Sequence, residues 1–142
     1  MSGCVFCDIV AGREAASRVY EDDATLAFMN LRQANPGHVL VVPKAHLVTI
    51  DQLASDVAAR LFQAVVLVAR AVQHAFGPDG LNIWQSNGVA AGQEVFHIHV
   101  HVFPRWAGDG FLSVYPEPPA CEERATLDRL AGQLRAAIPS PA

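Results

Sequence analysis

Three of the six histidines stand at alternate positions, in the run His97-Ile98-His99-Val100-His101-Val102-Phe103. Successive side chains of a strand point to opposite faces, so the run predicts one face of imidazoles and one apolar face that also includes Phe96. Neighbouring histidines would lie about 6.5–7 Å apart along the backbone, too far for a direct bond between their rings. A neutral imidazole is a good nucleophile near neutral pH, so one ring could react while its neighbours do other work.

Two other interpretations of this histidine row are weaker. A solvated face would seldom place three histidines in strict alternation with apolar residues. A metal site using all three rings would require His97 and His101, about 13 Å apart along the strand, to reach one ion with bonds of about 2 Å.

Cys4 and Cys7 form a C-x₂-C pair, which is typical of a zinc site or of a reactive dithiol. A thioredoxin-type pair normally follows a strand, and no strand is predicted before Cys4. Three cysteines do not make a disulfide framework, so metal binding or redox chemistry is favoured. Cys121 has no partner at metal spacing, and we expect it to be a small buried hydrophobe.

The histidine run and its surroundings resemble the histidine triad (HIT) superfamily, in particular its bacterial-type members. The segment Asn35-Pro36-Gly37-His38-Val39-Leu40-Val41-Val42-Pro43-Lys44-Ala45-His46 resembles the family's first block. Ala91-Gly92-Gln93 precedes the triad at the family's spacing, and Pro104-Arg105 follows it. The resemblance covers about residues 4–110. It implies a single HIT domain over residues 1–142, with a C-terminal extension from about residue 111 that it does not support.

The resemblance implies nucleotidyl transfer through a covalent intermediate. His99 would attack the α-phosphorus of a nucleotide conjugate, and water or another acceptor would open the nucleotidyl-histidine. Gln93 would contact phosphate, Gly92 would permit close backbone approach, and Asn30 would hold the ribose hydroxyls. The residues implied in catalysis are His99, His101, His38 and Gln93, and those implied in substrate binding are Asn30, Gly92, Gln93, His99 and His101.

The resemblance also implies a structural zinc ion bound by Cys4, Cys7, His46 and His97. A Cys₂His₂ set suits tetrahedral zinc, and its closed shell leaves no position for substrate. Such a site would tie the N-terminal segment to two strands and would fix the ring of His97 beside the nucleophile.

Two departures from the family pattern concern the leaving group. Glu94 follows Gln93 where many relatives have Ser or Thr, and Ser86 stands where Asn is frequent. The substrate class stays open between dinucleoside polyphosphates and adenosine phosphoramidates. The loop before the triad and the segment Phe103–Asp109 resemble the fragile-histidine-triad branch, which favours the first class slightly. The cysteine pair and the segment Pro43–His46 resemble general bacterial-type members, which favours the second.

Two further function classes remain open at this stage, as does the identity of the group that accepts the nucleotidyl unit from the histidine. The protein could be a nucleotide-binding regulator or scaffold with little turnover, or a metal-dependent hydrolase that uses the histidine row. A phosphorylase, with phosphate in place of water, would use the same intermediate.

The sequence pattern also predicts the helices and strands that position these residues. Together they indicate an α+β domain with a mainly antiparallel sheet of about five strands, one long helix and flanking short helices. A short helix is expected over residues 4–12 and a weaker helical pattern over Cys121–Ala137. Strands are expected at Arg18–Glu21, Thr25–Asn30, His38–Val42, Leu81–Ser86 and Val95–Phe103.

The long helix is indicated by apolar residues at intervals of three and four. Ser55 is the expected N-cap, and Gly77-Pro78 the expected stop. In the family, this helix and the adjoining strand form a two-fold dimer, so the resemblance implies a homodimer. The apolar stripe consists of Val57, Leu61, Val65, Val68, Val72 and Phe76.

Composition excludes several classes of protein. Of the 142 residues, 51% are hydrophobic and 17% charged, which does not fit a disordered chain. The net charge of −4 argues against binding to nucleic acid. The longest apolar run, Ala64–Ala69, is far shorter than the roughly 20 residues of a membrane span. The N-terminus lacks the pattern of a signal peptide, so a cytoplasmic location is expected.

Three further residues have ordinary interpretations. Trp84 is expected in the core. Lys44 and Arg105 could steer phosphate, but we expect them to be solvated surface residues.

Overall fold

The computed structural model describes residues 3–111 and 117–139. The chain separates into two compact units, Met1–Asp109 and Gly110–Ala142. The first unit contains the sheet and every residue predicted to form a site.

The first unit is built on one five-stranded sheet in the order β1-β2-β3-β5-β4, and all neighbouring strands are antiparallel. This confirms the predicted fold class. A tight turn joins the first two strands, because one carboxylate oxygen of Asp22 accepts the N–H groups of Ala24 and Thr25. The strands are β1 Arg18–Glu21, β2 Thr25–Met29, β3 Val39–Pro43, β4 Gly80–Gln85 and β5 Val100–Arg105.

The long helix α2, Ser55–Phe76, covers one face of the sheet. It ends at Gly77, whose φ of +57° is a left-handed conformation that glycine adopts without strain. The prediction of Ser55 as N-cap is wrong, since Ala54 occupies that position and no side chain caps the helix. The buried contact joins Leu61, Ala64, Val65, Val68 and Val72 to Ala27, Val39, Val41, Val100 and Val102.

The opposite face of the sheet carries the short helix α1, Val5–Val10. Phe6 and Ile9 of this helix pack in a second cluster with Leu26, Phe28, Leu40 and Val42. The helix is shorter than predicted, because Ala11 caps it and Gly12 turns the chain at φ +73°. Since Leu40 lies directly opposite His101 in the β3–β5 register, His101 shares the face of the sheet that α1 covers.

The predicted strand Val95–Phe103 is wrong in its first half. Pairing with β3 ends at Val41–Val100, and the backbone N–H of Ile98 donates instead to the carbonyl of Leu47. Residues 95–99 therefore precede the strand, and Phe96, predicted to share the apolar face of the strand, is 49% exposed. His97 and His99 lie in this irregular segment, and only His101 belongs to the strand.

The second unit contains helix α3, Arg124–Ala137, which begins three residues later than the pattern indicated. Cys121 lies before the helix and is exposed, so the prediction of a buried cysteine is wrong. Among the helices of the described residues, none is apolar over a stretch long enough to cross a membrane.

Candidate functional site

The three predicted catalytic histidines come together on the α1 face of the sheet. His38 directly precedes β3, His101 lies on β5, and His99 precedes β5 by one residue. The ring centres are 4.9 Å apart for His99 and His101 and 5.2 Å apart for His38 and His101. The antiparallel pairing of β3 with β5 is what brings residue 38 beside residue 101.

His99 has the arrangement of a nucleophile. Its side chain is only 7% exposed, and Nδ1 donates to the carbonyl of His97 at 2.8 Å. We therefore assign the proton to Nδ1, which leaves a lone pair on Nε2. Burial lowers the pKa of His99, while the hydrogen bond to His97 and the charge of Glu94 oppose that effect.

His38 and His101 are hydrogen-bonded to each other. The spacing of residues along one strand could not predict this contact, because the two residues come from different segments. The amide Nδ2 of Asn30 donates to Nδ1 of His38 at 3.0 Å, so Nε2 of His38 donates to Nδ1 of His101 at 2.9 Å. The proton of His101 is then on Nε2. Burial, followed by His99 and His38, lowers the pKa of His101 to about 3. Burial also lowers the pKa of His38, and a hydrogen bond with the backbone of Arg32 partly offsets this effect.

Trp84 is part of this site, although the sequence placed it in the core. It lies opposite His101 in the β4–β5 register and is only half-buried. Its ring stacks on that of His101, with centres 4.3 Å apart and an interplanar angle of 8°. It also contacts His38 and Phe103, each at 5.5 Å between ring centres. Knowing the hairpin register would have identified it, but residue type alone did not.

Gln93 and Gly92 lie in the loop between β4 and β5. Gln93 is buried, and its Oε1 accepts the N–H of Gly88 at 2.7 Å. Its Nε2 donates to the carbonyls of Val48 and Val95, at 2.7 Å and 3.2 Å. The side chain thus holds the loop in shape, and Gly92 has a φ of +83° there.

Cys4, Cys7, His46 and His97 form a cluster that could hold a metal ion, with their donor atoms within 4.8 Å of one another. Nδ1 of His97 is 3.5 Å from Sγ of Cys4 and 3.6 Å from Sγ of Cys7. Nδ1 of His46 is 3.2 Å from Sγ of Cys7. Nε2 of His97 donates to the carbonyl of Pro43 at 2.8 Å, which leaves Nδ1 free of hydrogen to bind metal. Two sulfurs and two imidazoles suit tetrahedral zinc.

The two basic residues considered for phosphate steering are bound to acidic partners. Lys44 Nζ lies 2.8 Å from a carboxylate oxygen of Glu21. Arg105 forms a two-pronged contact with Asp109, at 2.8 and 2.6 Å, and donates to Oδ1 of Asn82. Arg105 is therefore not the freely solvated residue that was expected.

Comparisons with known proteins agree with this geometry. The HIT domain family model matches residues 12–108. The chain is 44% identical over 113 residues to Protein hit of Bacillus subtilis, covering 79% of this chain and 78% of that protein. It is 38% identical over 102 residues to Adenylylsulfatase HINT3 of Arabidopsis thaliana, covering 72% of this chain and 52% of that protein.

Two solved structures are similar over almost the whole chain. A member of the HIT family from Bacillus subtilis superposes with a TM-score of 0.92 at 36% identity, covering 99% of this chain and 100% of that one. A zinc-bound histidine triad family protein from Mycobacterium smegmatis has a TM-score of 0.72 at 38% identity, covering 95% and 97%. The fold, the histidine cluster and the extent of these matches together show that the chain belongs to the HIT domain family.

Proposed function

We propose that this protein is a nucleotidyl hydrolase that acts at the α-phosphate of a dinucleoside polyphosphate or an adenosine phosphoramidate. One observation carries the proposal: His99 is buried, and its Nδ1 proton is held by the His97 carbonyl, so Nε2 has a lone pair to attack phosphorus. The name of the Arabidopsis relative, an adenylylsulfatase, supports chemistry at an adenylyl group.

The reaction has two steps: the nucleotidyl-histidine forms in the first and is hydrolysed in the second. In the first, Nε2 of His99 forms a bond to the α-phosphorus, and the bond from phosphorus to the leaving group breaks. The leaving group departs with the electron pair, with the Nε2–H of His101 as a neighbouring hydrogen-bond donor; an amine leaving group takes its proton from water, and a polyphosphate needs none. In the second step, water attacks phosphorus, the proton that it loses goes to solvent, and the bond to His99 breaks. The Nδ1 proton of His99 stays in place throughout.

The remaining substrate contacts follow from the family resemblance. Asn30 would bind the ribose hydroxyls through its carbonyl oxygen, since its amide nitrogen is engaged with His38. That oxygen also accepts the N–H of Arg32 at 3.3 Å. The loop of Gly92 and Gln93 would approach the phosphate, with Gln93 shaping the loop through its three backbone hydrogen bonds. His38 and His101 would complete the surroundings of the phosphate.

Zinc at Cys4, Cys7, His46 and His97 would have a structural role. The zinc-bound relative from Mycobacterium smegmatis supports this choice of metal. Such a metal supplies folding energy by joining α1 to the segments that carry His46 and His97. No side chain of this cluster takes part in the catalytic steps, and His97 contributes only its backbone carbonyl, which holds the Nδ1 proton of His99.

We propose a homodimer formed through α2 and the edge strand β4. Within the described residues β4 has one neighbour in the sheet, and its Ile83 is 41% exposed. The outer side of α2 also exposes large apolar side chains, and burying them in a dimer would stabilise it. These are Phe62, Val66 and Leu67, each 45–48% exposed. Light scattering would measure the mass in solution, and a monomer would contradict the proposal.

The covalent intermediate gives the direct test of the catalytic proposal. The protein is mixed with adenosine phosphoramidate or a diadenosine polyphosphate, the reaction is quenched without acid, and the mass of the intact protein is measured by mass spectrometry. We expect a gain of one adenylyl group in the wild type and none in a folded His99→Ala variant. Undiminished turnover by His99→Ala would contradict the proposal. Binding without turnover would indicate a binding module, and turnover that chelation abolishes and added metal restores would indicate a metal-dependent hydrolase.

A further inference from the structure

Trp84 lies beside the triad, on the part of the sheet that β4 and β5 form. The cluster beneath α1 takes its sheet residues from β2 and β3, whereas Trp84 pairs with His101 in the β4–β5 register. Residues directly opposite in an antiparallel pair share one face, so the indole ring and the imidazole ring are neighbours there. The indole is half-buried, and it belongs to neither of the two hydrophobic clusters found within the described residues. Its closest association is therefore with the triad and not with the core.

The ring of His101 is held at one atom by a hydrogen bond and across its face by Trp84. Nε2 of His38 donates to Nδ1 of His101 at 2.9 Å, which fixes the position of that nitrogen. The terminal torsion of an imidazole has a broad energy profile, so one hydrogen bond leaves the ring free to tilt about the bonded atom. The indole and imidazole centres are 4.3 Å apart at an interplanar angle of 8°, and this stacked contact prevents the tilt. The two contacts together fix the direction in which the Nε2–H of His101 points.

Trp84 can hold His101 in place because other rings hold Trp84. Phe103 is only 4% exposed, and its ring meets the indole edge-to-face, with centres 5.5 Å apart. The same ring meets that of His38 at 4.9 Å and an interplanar angle of 88°, which is a favourable arrangement for two aromatic rings. Each of these four rings contacts at least two of the others. The plane of His101 is therefore set by a connected group of rings that is anchored on a buried phenylalanine.

We propose that Trp84 is a positioning residue, whose stacked indole directs the Nε2–H of His101 at the phosphate that His99 attacks. This proposal rests on the proposed function. The ring centres of His99 and His101 are 4.9 Å apart, so a donor on His101 lies within reach of the oxygens of a phosphorus bonded to His99. A donor whose direction is fixed beforehand needs no reorganisation when negative charge develops in the transition state, and it lowers the barrier for that reason. Trp84 acts through His101 and contacts no reacting atom itself.

Two substitutions at Trp84 test the proposal, with adenosine phosphoramidate as the substrate. Trp84→Leu removes the flat face, and we expect kcat to fall about tenfold while KM changes by less than about twofold, because the alignment of the donor matters most in the transition state. Trp84→Phe retains a flat face and should restore most of the lost kcat. A kcat that is unchanged in Trp84→Leu, or lowered equally in Trp84→Leu and Trp84→Phe, would overturn the proposal.

Proton NMR measures the stacked contact without any turnover. Protons that lie over the face of an aromatic ring are shifted upfield. The ring protons of His101, assigned by their loss in His101→Phe, should therefore lie upfield in the wild type of their positions in Trp84→Leu. Equal positions in the two proteins would show that the rings do not stack in solution, and would overturn the proposal.

Trp106→Leu serves as a matched control, because Trp106 is the other tryptophan of the chain and is also half-buried. It follows β5, and none of the ring contacts within the described residues joins it to a triad histidine. This variant should keep the wild-type kcat, and a loss as large as that of Trp84→Leu would overturn the positioning role alone. An upfield shift in a wild type that shows no turnover and no adduct would overturn the proposed function, and the positioning role with it.

Discussion

Two histidine clusters lie side by side in this protein, and they expose opposite ring nitrogens. His99 donates its Nδ1 proton to the His97 carbonyl and keeps a lone pair on Nε2. His97, two residues earlier, donates its Nε2 proton to the Pro43 carbonyl and keeps a lone pair on Nδ1, facing Cys4 and Cys7. The chemistry of each imidazole is thus decided by which backbone carbonyl accepts its proton.

The two clusters also differ in their neighbours. The triad histidines have aromatic and imidazole neighbours, and their burial disfavours the charged form. The second cluster has two thiols and a solvent-exposed His46. One cluster is therefore suited to a neutral nucleophile and the other to a cation.

The largest expected effect is the loss of activity, without loss of metal, when the nucleophile of the triad cluster is removed. His99→Ala should lower kcat by at least about a thousandfold, because no other group can supply the attacking nitrogen. It should retain its metal content and its fold, measured by elemental analysis and circular dichroism. Loss of metal together with activity would show that the two clusters act as one.

The converse change is Cys7→Ser, which should remove metal binding. Since bound metal stabilises the folded state only, we expect the free energy of unfolding to fall by about 2–4 kcal/mol, measured in urea. Chelation of the wild type should produce the same loss, and Cys121→Ser, at the exposed cysteine of the second unit, should not. A wild-type protein purified without metal and unaffected by added zinc would contradict this prediction.

The triad cluster should have its own dependence on pH. Burial lowers the pKa of His101 to about 3 in the folded state, well below its ordinary value. As the pH falls below about 6.5, the unfolded chain binds a proton that the folded chain does not, so stability is lost as the solution is acidified. We expect a loss on the order of 2 kcal/mol between pH 7 and pH 4. With the free energy of unfolding measured in urea at each pH, His101→Phe should flatten its dependence on pH in this range. An unchanged dependence would argue against a half-buried, neutral His101.

The smallest effect concerns the turn that places His38. A Cβ on Gly37 would lie 2.9 Å from the ring of Phe76, and φ is +102°. Gly37→Ala should therefore lower stability by about 1–2 kcal/mol more than Gly12→Ala, where φ is also positive but the space is open. Equal losses in the two variants would show that backbone strain alone matters and that Phe76 moves aside.

Much of the fold could be predicted because it depends on local patterns. Spacings of three and four identify α2, and a β-branched run bounded by turn residues identifies β3. The start of β5 could not be predicted. An alternating sequence is compatible with a strand, but a strand also needs a partner, and the partner of Ile98 is Leu47 outside the sheet. Cys121 was misjudged because residue type alone does not determine burial.

The sequence by itself determined which chemistry is available here: alternate histidines, a C-x₂-C pair, and a carboxylate next to Gln93. Only the tertiary structure decided how each of these is used. It placed Trp84 on His101, engaged Gln93 with three backbone groups, and directed the lone pairs of His97 and His99 to different tasks. The physical reason is that a hydrogen bond depends on which groups meet in space, and strand register and loop path bring together residues far apart in the chain.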